Sequence, residues 1–97
     1  MTEPPETIVR EVWATPAEFR HGLAQAFPGR VRECGGLLCV DDGQAAMEIA
    51  LETLVPRTIA LLAMPRLKVS LRLTAGTPVE KKAMLRRMDL AMHRGGG

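Results

Sequence analysis

Residues 30–74 read RVRECGGLLCVDDGQAAMEIALETLVPRTIALLAMPRLKVSLRLT. Three turn signals divide the stretch. Asp41-Asp42-Gly43-Gln44 holds an Asp-Gly pair, which tolerates the positive φ angles of a two-residue hairpin. Val55-Pro56-Arg57-Thr58 and Met64-Pro65-Arg66-Leu67 each put proline at the second turn position, where its fixed φ fits. The runs between these signals are apolar and partly alternating, so four strands are expected.

The first of them spans residues 30–41 as one bent strand. With Asp42-Gly43 as a two-residue turn, Asp41 faces Gln44, Val40 faces Ala45, Leu38 faces Met47, Gly36 faces Ile49 and Cys34 faces Leu51. Cys34, Leu38, Val40, Met47, Ile49 and Leu51 then share the core face, and Val31, Glu33, Cys39, Glu48 and Glu52 the other. Gly35-Gly36 inside this strand marks a bulge, a bend or a close backbone approach. The alternative makes Gly35-Gly36 a hairpin turn between two short strands. Residues 44–54 include good helix formers, yet Met47, Ile49 and Leu51 alternate and turns flank them, which favours a strand. Residues 58–64 are continuously apolar, as in a central strand. Leu67, Val69, Leu71 and Leu73 alternate with Lys68, Ser70 and Arg72, giving the clearest strand of all.

Residues 7–13 are β-branched and apolar and form a further strand, with Ile8 and Val12 on one side and Val9 and Trp13 on the other. Thr15-Pro16-Ala17-Glu18 is a helix start: Thr caps, Pro suits the first helical position, and Glu reaches back to the cap amide. Phe19, Leu23, Ala26 and Phe27 follow at helical spacing, and Pro28-Gly29 ends the helix. Thr77-Pro78-Val79-Glu80 repeats the start signal. The second helix runs to about His93, with Met84, Leu85, Met88, Ala91 and Met92 as its apolar stripe and Lys82, Arg86, Arg87, His93 and Arg94 opposite. Residues 1–6 and 95–97 are expected as tails around one domain over 7–94.

The order is therefore β-α-β-β-β-β-α. Two apolar-striped helices need one apolar sheet face, so the expected fold is α+β: a two-layer sandwich of a mostly antiparallel, curved sheet with both helices on one face. In element order this resembles a single repeat of the TATA-box-binding-protein fold, a likeness of architecture that carries no function across.

Composition narrows the function classes. The chain has 97 residues, three aromatics, no Tyr and a net charge of +2. That balance gives no argument for nucleic acid, but its distribution is uneven. Residues 1–54 hold four Arg against nine carboxylates, whereas 55–97 hold nine Lys and Arg against two. A split of this kind suits self-association or a charged partner, or complementary halves of one fold. No apolar run approaches the ~18 residues of a membrane helix and no basic-headed apolar leader opens the sequence, so a cytoplasmic protein without membrane contact is expected.

No catalytic or metal-binding residues are assigned. Cys34 and Cys39, five apart on one continuous strand, would point to opposite faces, and neither has further Cys or His nearby to build a zinc site. A redox pair would require the Gly-Gly turn. Ser70 lies outward on a strand, His21 and His93 fall on helices, and no nucleophile, base and orienting carboxylate stand at a recognisable spacing. No cofactor-binding pattern is present. Two binding readings follow. The first is a non-catalytic module that binds a protein partner or itself, a homodimer included, with Trp13, Gly35 and Gly36 as interface candidates. The second is nucleic-acid or polyanion binding through Arg66, Lys68, Arg72, Lys82, Arg86, Arg87 and Arg94, against which stands the lack of interleaved exposed aromatics. The closing Gly95-Gly96-Gly97 is similar to the Gly-Gly end of ubiquitin-like and sulfur-carrier proteins, a third and remote reading, since those tails follow a strand rather than a helix.

Overall fold

A computed structural model describes the backbone of residues 7–95 and the side chains of residues 7–92. The expected tail at 1–6 and the last two glycines lie outside that range. The elements are β1 (Thr7–Val12), α1 (Pro16–Ala26), β2 (Val31–Cys34), β3 (Leu37–Asp41), β4 (Ala46–Ile59), β5 (Leu62–Ala75) and α2 (Pro78–Gly95). The five strands form one antiparallel sheet in the order β1-β5-β4-β3-β2. Both helices cover one face of it, so the chain is α+β in the expected order.

Both helix starts have the geometry their sequences dictate. In α1, Thr15 Oγ1 accepts from the Glu18 amide at 3.2 Å, and the Thr15 amide donates to Glu18 Oε1 at 2.9 Å. Thr77 and Glu80 repeat the arrangement at the same two distances in α2. Each reciprocal pair satisfies two amides that the helix itself cannot. Phe19, Leu23 and Phe27 from the α1 region and Met84 and Met88 from α2 then bury against Leu67, Val69, Leu71 and Leu73 of β5, Met47 and Ile49 of β4, and Leu38 and Val40 of β3. Phe19 and Phe27 are the largest side chains of this interior, and Leu, Met, Ile and Val fill the rest. On β1, Ile8 and Val12 pack against the core while Val9 stays exposed on the other side.

Three expected boundaries are corrected. First, residues 30–41 are two strands, because Gly35-Gly36 is a hairpin turn with φ of +57° and +85°. Gly adopts both angles without steric cost, as a two-residue turn requires. The turn also reverses which positions share a face. Val31 stands across from Val40 and Glu33 across from Leu38, so both turn toward the helices, and Cys34 leaves the core side. Second, Val55-Pro56-Arg57-Thr58 and Met64-Pro65-Arg66-Leu67 are not turns but lie within β4 and β5. The ladder shifts register between Leu54 and Arg57, so that Val55 and Pro56 oppose Pro65 in a bulge. There neither proline's missing amide breaks a ladder hydrogen bond. The reversal comes instead at Ala60 and Leu61, with Ala60 at φ +56°. Third, residues 58–64 are not a central strand but the two sides of that reversal.

The register between β3 and β4 also differs from expectation. Asp41 faces Ala46, Val40 faces Met47 and Leu38 faces Ile49. The loop is four residues rather than two because Asp42 Oδ1 accepts from the amides of both Gln44 (2.9 Å) and Ala45 (2.8 Å), while Asp41 Oδ1 takes that of Gly43 (2.8 Å). A slip of two residues keeps every side chain on its face. Leu38, Val40, Met47 and Ile49 therefore reach the core as expected.

Candidate interaction surface

The lateral partners of β4 and β5 stop well before the two strands do. Pairing with β3 ends at Ile49 and pairing with β1 ends at Leu67, yet β4 and β5 remain paired out to Ile59 and Leu62. Residues 54–66 thus form a two-stranded arm with both edges open, and they draw the molecule out to 50 Å against 28 and 25 Å in the other directions. At ~3.3 Å per residue the arm is roughly 20 Å long.

Most of its side chains are apolar, and four large ones are uncovered. Leu61 is 100% exposed, Val55 81%, Leu62 67% and Ile59 49%. A two-stranded ribbon alone is marginal in water. Braces hold this one at its base. Arg66 donates through Nη1 to the Val55 carbonyl at 3.1 Å and through Nη2 to the Glu11 carboxylate of β1. That guanidinium holds the Glu11 carboxyl below the usual carboxylate range, first by the hydrogen bond and then, against some desolvation, by its charge. Arg57 lies over the Trp13 ring, 6.0 Å from its centre.

Beside the base of the arm opens a groove of about 620 Å³ between β1 and α2. Val12, Trp13, Met64, Met88 and Met92 give it apolar walls. Arg10, Glu11 and Asp89 rim it, and Arg10 pairs with Asp89 at 3.2 Å. Methionine walls reshape to what they meet, because the unbranched thioether has several accessible rotamers.

The sequence-predicted residues distribute as follows. Arg66, Lys68 and Arg72 lie on β5 on the sheet face away from the helices. Each has a carboxylate beside it: Glu11 with Arg66, Glu52 with Lys68 at 4.0 Å, and Glu48 across the ladder from Arg72. Lys82, Arg86 and Arg87 stand in the helix layer, and Arg87 lies over the Phe27 ring at 4.9 Å. The structure thus brings the three basic residues of β5 together and puts those of α2 on the other side of the sheet; the Arg94 side chain is outside the described residues. Trp13 follows β1 and Gly35-Gly36 follows β2, and these are the two opposite edges of the sheet, so the three interface candidates do not meet. Of them, Trp13 belongs to the groove.

Sequence reasoning missed the arm. One signal marks it: Pro56 and Pro65 stand at equal distances from the Ala60–Leu61 junction, as two residues facing each other across a ribbon would. Among the described residues no three of His, Cys, Asp and Glu come together to hold a metal ion, and no helix is long and apolar enough to cross a membrane. Set against protein-family models and curated proteins, the chain matches none.

Proposed function

We propose that this protein is a non-catalytic interaction module that acts by self-association, two copies exchanging arms. The observation that supports this most is the arm itself, whose four large apolar residues have no core beneath them. Uncovered apolar side chains in such a cluster are costly unless something covers them.

A second copy suits the occupant's place for geometric reasons. The groove sits at the base of the arm. Two arms laid side by side and antiparallel therefore bring each tip to the other's groove, and the contact closes on itself about a two-fold axis. The open edges of each arm can pair in the same arrangement. The four uncovered apolar side chains of each arm, Val55 near its base and Ile59, Leu61 and Leu62 at its tip, at roughly 60–120 Å² each, together with the surface they cover, reach the roughly 1,000 Å² that a specific interface needs. The reading includes a cytoplasmic setting, whose reducing poise favours the dithiol form of Cys34 and Cys39.

Sedimentation of the purified chain over a range of concentrations, at low and high salt and with or without a generic oligonucleotide, tests it. The expected result is a dimer that persists at high salt and ignores the oligonucleotide, since apolar contacts are not screened. A monomer at every concentration would overturn the reading. Co-sedimentation with the oligonucleotide at low salt only would replace it with polyanion binding.

A further inference from the structure

The far edge of the sheet gathers the chain's two cysteines. Across the Gly35-Gly36 turn, Cys34 stands opposite Leu37 and Arg32 opposite Cys39. Cys34 and Cys39 are therefore diagonal neighbours on adjacent strands and lie on the same face, the one away from the helices. Both are free thiols, Cys34 exposed and Cys39 half-buried. Arg32 flanks Cys39 on β2 and Glu48 flanks it on β4. Hydrogen bonding with Cys34, then desolvation, push the Cys39 thiol up to about 11. The ladder register, with both side chains on one face of adjacent strands, places the two thiols side by side.

We infer that Cys34 and Cys39 form a reversible dithiol–disulfide pair that exchanges with low-molecular-weight disulfides. Cys34, the exposed sulfur, is the entry point. As a thiolate it attacks one sulfur of the incoming disulfide, forming a mixed disulfide and releasing the first small thiolate, which takes up a proton. Cys39 then loses its proton to solvent and attacks Cys34 Sγ. The bond between Cys34 and the small molecule breaks, and the second small thiol leaves. Two protein thiols are oxidised, one small disulfide is reduced to two thiols, and no other reactant is needed.

The backbone favours a switch over a permanent staple. Diagonal neighbours in an antiparallel pair have Cα atoms roughly 7–8 Å apart, whereas disulfides rarely span more than about 7 Å. Closure must draw the strands slightly together. The place permits it: β2 is a four-residue strand at the sheet edge with β3 as its one neighbour in the sheet. A bond closed against such resistance is more readily reduced than an unstrained one, as a reversible pair in a reducing compartment must be.

This inference stands on the β2–β3 hairpin alone and is independent of the arm. Its test treats the full chain with oxidised glutathione and follows intact mass under non-reducing conditions. The wild-type protein is expected to lose two hydrogens at a rate independent of protein concentration, with no lasting adduct. Cys39→Ser should instead accumulate one glutathione adduct, mapped by peptide analysis to Cys34. Because both sulfurs face away from the core, Cys34→Ser and Cys39→Ser should keep the wild-type circular dichroism. Lasting adducts on the wild type, covalent dimers in place of the internal bond, or no reaction would each overturn the proposal.

Discussion

Replacing Leu61 by Ala separates folding from association. Leu61 is fully exposed at the tip of the arm and belongs to neither the core nor its fringe. Its loss should leave the stability of a single copy within about 0.5 kcal/mol, as for surface sites without special roles. In an arm-exchanged dimer the same side chain is covered in both copies. Burying a Leu is worth roughly 1.5–3 kcal/mol, of which truncation to Ala removes the larger part, so two sites should cost about 3–4 kcal/mol. At 1.4 kcal/mol per factor of ten, the dissociation constant should rise roughly a hundredfold to a thousandfold. Sedimentation equilibrium across a dilution series reads the second quantity, and urea denaturation below the dissociation constant reads the first. An unchanged dissociation constant would refute the placing of the arm tip in the interface. A drop of more than about 1 kcal/mol in monomer stability would refute the claim that Leu61 packs on nothing in its own chain.

Gly76→Ala should be strongly destabilising: φ is +115°, and a Cβ there would lie 2.9 Å from the Ala45 Cβ and 3.0 Å from its Cα. Strain and overpacking together predict about 2–5 kcal/mol, against about 1–2 for Gly43→Ala, where φ is +91° in open space; urea midpoints compare them directly. Asp42→Ala should cost about 1–2 kcal/mol through two lost loop hydrogen bonds. The carboxyl is held below its ordinary value, first by the Ala45 amide, so its contribution is present above the unfolded pKa and is lost as pH falls through the folded one. The difference between wild type and variant should accordingly shrink below about pH 4 in denaturation curves. Arg66→Lys keeps the charge but cannot reach both the Val55 carbonyl and the Glu11 carboxylate with a planar fork. Limited proteolysis should cut residues 55–65 faster in that variant while the rest of the domain keeps its resistance.

Both helices were legible because their signals are local. A Thr-Pro-x-Glu start fixes its own hydrogen bonds within four residues, and the apolar stripe that follows needs only a surface to lie on. The core positions of β3 to β5 were legible for a different reason: strand periodicity is two, so a register wrong by two residues still sends Leu38, Val40, Met47 and Ile49 inward. The arm was not legible. A continuously apolar run such as residues 58–64 reads as a central strand only if strands flank it, and lateral partners are a property of the whole sheet rather than of the run. Proline added to the error. At the second position of a turn it is common, but two prolines facing each other at a bulge satisfy the same constraint, because neither has an amide to lose.

The cysteines show how far one turn can reach. On an unbroken strand, residues five apart point to opposite faces, and Cys34 belongs with Leu38 and Val40 in the core. A two-residue turn between them makes positions whose numbers sum to 71 face each other: Cys34 and Leu37, Glu33 and Leu38, Arg32 and Cys39. Odd positions on one strand then share a face with even positions on the other. Val31, opposite Val40, turns inward and packs against the core, and both thiols come out on the other face. The chemistry argued for the pair and the composition of the core edge therefore depend on the same two glycines. Their φ angles of +57° and +85° are the condition for both, and a residue with a Cβ at either position opposes the turn through backbone strain alone, since the space around them is open. Gly35→Val should for that reason disturb the dithiol geometry before it disturbs the core, lowering the rate at which the internal disulfide closes while leaving the burial of Phe19, Leu23 and Phe27 unchanged.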